Sequence, residues 1–310
     1  MNRILILFII VLTGAVLFLA GKNAESLEDS GHNKAYSRYF NEHYRIFSIH
    51  IPDSMSFAGE SMPLDISDVR ERFDRELLVN TYWQSQTLLL IKRSNRWFPV
   101  IEPILKEEGV PDDFKYLAVA ESGLTDIVSP AGATGFWQFM KGTGKDYGLE
   151  IREGVDERYH VEKATRAACA YLKDAKEHYG TWTLAAAAYN YGQRNVDRQL
   201  DRQKAEGYYE LLLNEETARY VFRITAIKEI LSNPALYGFH FRPQDLYPPY
   251  ETDRIEVDSS ITDLPAFADR FGMDYKTLKI LNPWLRDSNF ENRKGQSYLI
   301  SIPKDSVSEG

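Results

Sequence analysis

Between Ser67 and Leu231 apolar residues return every three or four positions, a spacing that commits most of the chain to amphipathic helices packed on one another. Val69, Phe73 and Leu77 recur behind Ser67, a candidate cap, and Trp97, Ile101, Ile104 and Leu105 repeat the pattern after an apolar stretch at Leu88 to Ile91. Pro111, Asp112 and Asp113 open a further helix. Lys163 to Tyr179 and Trp182 to Gly192 supply two more, and Glu216 to Leu231 presents Tyr220, Ile224 and Ile227 on one face. Cys169 is the only cysteine, so no internal disulfide can hold the fold and burial of these faces must do so. It sits among alanines at helical spacing and reads as a small core residue rather than a catalytic thiol. The expected class is mainly α.

One of these helices ends on a carboxylate that its apolar face should exclude. In FKYLAVAESGLTD, residues 114–126, Phe114, Leu117 and Ala118 share a helical face with Glu121. A buried carboxyl is costly unless it is paired, protonated or employed. Gly123 is a natural terminator for this helix. Beyond it, SPAGATGFWQFM, Ser129 to Met140, sets Pro130, Gly132 and Gly135 before aromatic residues and Gln138. That segment is either a loop whose backbone approaches a ligand, with Gln138 supplying donor and acceptor, or a turn ahead of a buried aromatic helix start. In WTLAAAAYNYG the alanines allow close helix packing, and Tyr189 and Asn190 in the last turn either cap the helix or line a cleft.

Charge and composition narrow the function. The 310 residues carry 37 basic and 45 acidic side chains, net −8, which argues against a nucleic-acid partner. His32, His43, His50, His160, His178 and His240 show no metal-ligand spacing, so no metal and no other cofactor is expected. Ile4 to Ala20 is an uncharged, almost wholly apolar run behind Asn2 and Arg3. It is long for a signal-peptide core and just long enough to span a bilayer. Residues 1–21 are therefore expected to be a signal anchor or signal peptide, the uncleaved anchor being favoured because Lys22 spoils the small-residue cleavage pattern. The rest of the chain is expected on the far side of the inner membrane.

Residues 22–64 read as an extended linker or arm, with alternation at Tyr44 to Pro52. Phe239 to Arg254, rich in proline and aromatic residues, reads as a linker, expected over 239–253. After it, RIEV and QSYLISIP look like strands and LPAFADRFGMDYKTLKILNP contains two short helical patterns.

Four segments in order, ESG at Glu121, GFWQFM at Gly135, AAYNYG at Ala187 and ETARYV at Glu216, resemble the motifs of the bacterial soluble-lytic-transglycosylase superfamily. The resemblance covers about residues 96–235. It implies an α+β lysozyme-like, mainly helical catalytic domain, expected over 65–238 with an N-terminal helical extension, that cleaves the bond between N-acetylmuramic acid and N-acetylglucosamine in peptidoglycan. The strand, helix, helix, strand order over 254–303 resembles a LysM module, a small βααβ unit that binds N-acetylglucosamine-containing glycans. Peptidoglycan strands are then the expected partner, with the membrane engaged through residues 4–20 if they are uncleaved and the oligomeric state left open.

The resemblance also implies the roles. Glu121 would protonate the departing oxygen and then, as a carboxylate, accept the proton of the sugar's own C6 hydroxyl, closing a 1,6-anhydro ring without water. A carboxyl can hold a proton at neutral pH when desolvation raises its pKa, as in lysozyme. Ser122 and Ser129 would contact substrate near Glu121, Gln138 and Met140 would line the sugar cleft, Tyr189 and Asn190 would orient Glu121 or the N-acetyl group, and Tyr220 would close the far wall. Two rivals stand beside this reading: a muramidase hydrolysing the same bond, with Asp126 as the second carboxylate, and a non-catalytic peptidoglycan-binding scaffold.

Overall fold

The computed structural model describes residues 33–35, 37–39, 42, 45–293 and 295–304. The apolar run Ile4–Ala20 and the expectation of a signal anchor or signal peptide lie outside the described residues. Among the described residues no helix is long and apolar enough to cross a membrane. Residues 45–52 form no strand, despite their alternation. Within the stretch expected as an extended arm, Met55–Phe57 (β1) and Glu60–Met62 (β2) pair as an antiparallel hairpin. Ala58 and Gly59 make its turn with φ of 53° and 79°. Positive φ at both central residues is the geometry that matches strand twist. The hairpin is fastened to the core by Phe57, fully buried and edge-on to Phe114 at 5.1 Å. The Ala58 N–H donates to Asp113 at 2.6 Å.

The helical body follows the period that the sequence displays. Its elements are α1 (Ser67–Tyr82), α2 (Gln84–Glu107), α3 (Lys115–Ser122), α4 (Lys141–Asp146), α5 (Val161–Tyr179), α6 (Trp182–Tyr191), α7 (Gln193–Gln203) and α8 (Glu215–Ser232). Ser67 opens α1 without making a side-chain cap. The stretch at Leu88 to Ile91 and the pattern around Trp97 belong to the single helix α2, which runs on through Pro99 and Pro103. Proline removes a donor from the helical ladder, so the continuity of α2 rests on packing, with Ile101 and Leu105 wholly buried. Against it lie α3 and α5, while α8 packs on α1, α3 and α6. Ala185 to Ala188 are all buried, which lets α6 sit close to α5 and α8. Cys169 is a buried free thiol, and its surroundings push it up to about 12 by desolvation.

Segment 239–253 lies along α2. Phe239 is buried in the helical core, and the Asn95 side-chain amide and Arg96 Nε each donate to a backbone oxygen of the segment, Tyr247 and Pro248, at 2.9 Å. The chain then forms β5 (Thr252–Val257), α9 (Leu264–Asp269), α10 (Tyr275–Leu281) and β6 (Tyr298–Pro303), the expected βααβ order. β5 and β6 are antiparallel, in register from Thr252 opposite Pro303 to Val257 opposite Tyr298.

This module shares its core with the helical body. Val155 and Tyr159 join Leu264, Leu278, Trp284 and Ile300 in one buried cluster. A bridge pairs Val155 with Leu285, Asp156 N donates to Trp284 O at 2.9 Å, and Arg286 N donates to Gly154 O at 2.9 Å. The Tyr298 hydroxyl reaches Glu150 at 2.7 Å. The strands β3 (Ile151–Arg152) and β4 (Val155–Asp156) thus serve as the seat on which the module rests.

Candidate active site

Every residue of α3 is buried except Glu121, which is half-buried at its last turn. The helix stops there because Gly123 adopts a left-handed φ of 60° and its N–H closes onto Val119 O. Glu121 is thereby presented at the edge of the core. Burial pushes its carboxyl up to about 7, against the opposing pull of the Tyr220 hydroxyl and the Arg223 charge; Glu216 adds to the rise. Tyr220 projects from α8, is almost fully buried, and donates its hydroxyl to Glu121 Oε1. The arrangement keeps one carboxyl protonated near neutrality while fixing its direction.

Around Glu121 the expected residues divide into two groups. Tyr189 and Asn190 end α6 beside it: the Tyr189 hydroxyl donates to Trp137 O at 2.6 Å, and Asn190 Oδ1 accepts from the Thr217 hydroxyl at 2.9 Å. The Asn190 amide also donates to Glu216 at 3.3 Å, tying the end of α6 to the start of α8. Met140 stands 46% exposed where the loop enters α4, free to meet a ligand.

Ser122, Ser129 and Gln138 are expected to touch substrate, and each also makes a hydrogen bond within the protein. Ser122 is buried, with its hydroxyl bonded to Phe136 O at 2.9 Å and accepting from Leu124 N at 3.1 Å. Ser129 Oγ accepts from Ala133 N at 3.0 Å. The Gln138 amide donates to Gly135 O at 2.7 Å, with Gln138 itself at a φ of 49°. Segment 129–140 is a turn ahead of a helix, closed by bridges from Thr134 to Val128 and Phe139, with Phe136, Trp137 and Phe139 buried, and Ser122 ties it to the end of α3.

No local sequence pattern discloses what holds this turn. Gly135 lies so close to Arg158 that a Cβ would meet the Arg158 carbonyl oxygen at 2.0 Å, and its φ is 79°. The Arg158 guanidinium donates to Gly132 O at 3.1 Å and Phe139 O at 3.2 Å while paired with Asp156 at 2.7 Å. Trp137 is fully buried and anchored through its indole N–H to Thr165 at 2.9 Å. The Asp126 side chain lies in the loop after α3, where burial lifts its carboxyl to about 6, with Arg286 pulling the other way. Among the described residues no cluster of His, Cys, Asp and Glu could hold a metal ion.

With this geometry in view, comparison with known proteins places the chain. Residues 98–212 match the Transglycosylase SLT domain, and residues 253–306 match the Soluble lytic transglycosylase C-terminal LysM-like domain. The chain carries an SLT domain joined to a LysM-like domain. It is similar to the proteins named membrane-bound lytic murein transglycosylase D from Escherichia coli (strain K12) and from Escherichia coli O6:H1, at 28% identity over 261 residues in each case. The match takes in 81% of this chain and 56% of each relative, so the chain spans about half the length of the curated relatives it matches. The lysozyme-like, mainly helical fold expected from the four motifs is the fold observed, and Glu121, the loop at Gly135 and the end of α6 all fall inside the SLT match.

Proposed function

We propose that this protein is a peptidoglycan lytic transglycosylase, with Glu121 acting as general acid and then as general base. The observation that carries the reading is a single carboxyl, half-buried at the end of α3, held by Tyr220 and raised to about 7. Protonated Glu121 gives its proton to the glycosidic oxygen as the bond to C1 of N-acetylmuramic acid breaks. Its carboxylate then takes the proton of the C6 hydroxyl while that oxygen bonds to C1. The products are a free 4-hydroxyl on one fragment and a 1,6-anhydro end on the other, and Glu121 returns to its protonated form without water entering the balance.

The neighbouring residues support that sequence of steps. Tyr220 steers the carboxyl, and its hydrogen bond stabilises the carboxylate midway through the reaction. Tyr189 and Asn190 shape the wall next to it, and Met140 supplies an exposed apolar contact for a sugar ring. Ser122 braces the loop 129–140 from the end of α3, while Ser129 and Gln138, half-buried in that loop, keep a hydroxyl proton and an amide oxygen for substrate. The names of the relatives, membrane-bound murein enzymes, fit a place in the cell envelope, where the apolar run Ile4–Ala20 would serve as anchor. Release of soluble fragments from purified peptidoglycan tests the assignment. The wild-type protein should release them, and Glu121→Gln should lower the rate by about 10²–10⁴, the usual contribution of a general acid. Equal release by the two proteins would remove Glu121 from the chemistry.

A further inference from the structure

Apart from the Glu121 site, the fold has an open cavity of about 470 Å³ between the outer face of the β5–β6 sheet, the strap 249–252, helix α2 and the start of α5. Its size falls within the range of about 300–1,000 Å³ typical of small-molecule sites. None of the expected site residues lines it. We propose that this cavity is a second sugar-binding site, for an acetamido sugar that carries one carboxylate. The choice of ligand rests on the proposed function: an N-acetylmuramic acid residue of glycan stripped of its stem peptide carries an acetamide and one free lactyl carboxylate.

The walls supply what such a ligand needs. Trp97 is half-buried and stands edge-on to Tyr250 at 5.8 Å, giving an aromatic corner for the C–H face of a sugar ring. His160 lies on Trp284 with ring centres 6.0 Å apart, and burial pushes its pKa down to about 4. At neutral pH its imidazole is uncharged; one ring nitrogen bonds its own backbone, and the other is left to accept from an acetamide N–H.

The charge is similarly selective. Of the cations in the walls, Arg254 is paired with Glu162, Lys163 with Glu157, and Arg166 with Glu107 and Glu108. Arg96 makes no ion pair among the described residues: it donates to Pro248 O at 2.9 Å and to the Tyr250 hydroxyl at 3.0 Å, and lies 4.3 Å from the Tyr250 ring centre. Its guanidinium is held in place yet not neutralised, which suits one carboxylate better than a phosphate dianion. The site depends on the docking of the LysM-like domain, since Trp284 and Leu299 come from that domain and Arg96 from α2.

The test uses the full chain with Glu121→Gln, so that added sugar is not turned over. It is titrated with the disaccharide of N-acetylglucosamine and N-acetylmuramic acid, and separately with neutral di-N-acetylglucosamine, while the histidine ring signals are followed by NMR. The His160 signal, assigned by its loss in His160→Gln, should move saturably with the acidic disaccharide, and the neutral one should bind about tenfold more weakly, the effect of one charge-assisted hydrogen bond. Arg96→Gln, with its thermal unfolding unchanged, should bring the acidic disaccharide down to the affinity of the neutral one. A still His160 signal, or undiminished binding by Arg96→Gln, overturns the proposal. Peptidoglycan cleavage by the wild type without any His160 response would sink this inference alone. A His160 response without cleavage would keep the site and remove the catalytic reading.

Discussion

Replacing Glu121 by Gln should stabilise the protein at alkaline pH while disabling it. The carboxyl is raised from 4.5 to about 7 in the folded chain, so between those values the native state holds a proton that the unfolded state has released. Stability from this group is therefore present in full below pH 4.5 and is lost as pH rises through about 7. At about 1.4 kcal/mol per pKa unit, the loss between pH 5 and pH 8 comes to about 2–3 kcal/mol. Glutamine retains an oxygen to accept from Tyr220 and does not titrate. Urea unfolding of both proteins at pH 5 and pH 8 isolates the effect, because every other titrating group is common to both. The variant's advantage should grow by about 2–3 kcal/mol across that interval. If the two proteins keep a constant stability difference at both pH values, the carboxyl of Glu121 is not raised and the argument from its burial fails.

Tyr220→Phe removes the hydroxyl that favours the Glu121 carboxylate, so the alkaline limb of the pH–rate profile should move up by about one unit, with the rate falling about tenfold; an unmoved limb would separate Tyr220 from the acid. Gly135→Ala drives a Cβ into the Arg158 carbonyl at a φ of 79° and should destabilise the fold by at least about 2 kcal/mol in denaturant unfolding, whereas an unchanged midpoint would mean that the loop is not pressed on Arg158. Trp284→Ala empties part of the core that Val155 and Tyr159 share with the LysM-like domain, so it should cost about 3–5 kcal/mol and weaken the SLT domain with it. Separate unfolding transitions with an intact SLT domain would contradict the shared core.

Glu121 is legible in the sequence because its evidence is local: three apolar neighbours at helical spacing and a glycine terminator lie within a few residues of it. Most of the helical body is legible for the same reason, and so is the βααβ order of the LysM-like domain. What escapes depends on pairs distant in the chain. No pattern around Arg158 announces that its guanidinium will clasp the carbonyls of Gly132 and Phe139. Ser122, Ser129 and Gln138 carry polar groups suited to a ligand, and only tertiary structure reveals that they also brace a turn. The docking of the LysM-like domain follows the same rule, since Val155 and Tyr159 look like ordinary apolar residues until Trp284 is brought against them. Continuation of α2 through Pro99 and Pro103 also runs against local propensity, which burial of Ile101 and Leu105 overrides.

The decisive measurement is the chemistry of the ends that cleavage creates. Mass spectrometry of fragments released from purified peptidoglycan should find 1,6-anhydro-N-acetylmuramic acid termini with the wild-type protein and none with Glu121→Gln. Reducing termini would contradict the account: they would mean that water, and not the C6 hydroxyl, attacks, and would bring Asp126, raised to about 6, forward as the second carboxylate of a hydrolase.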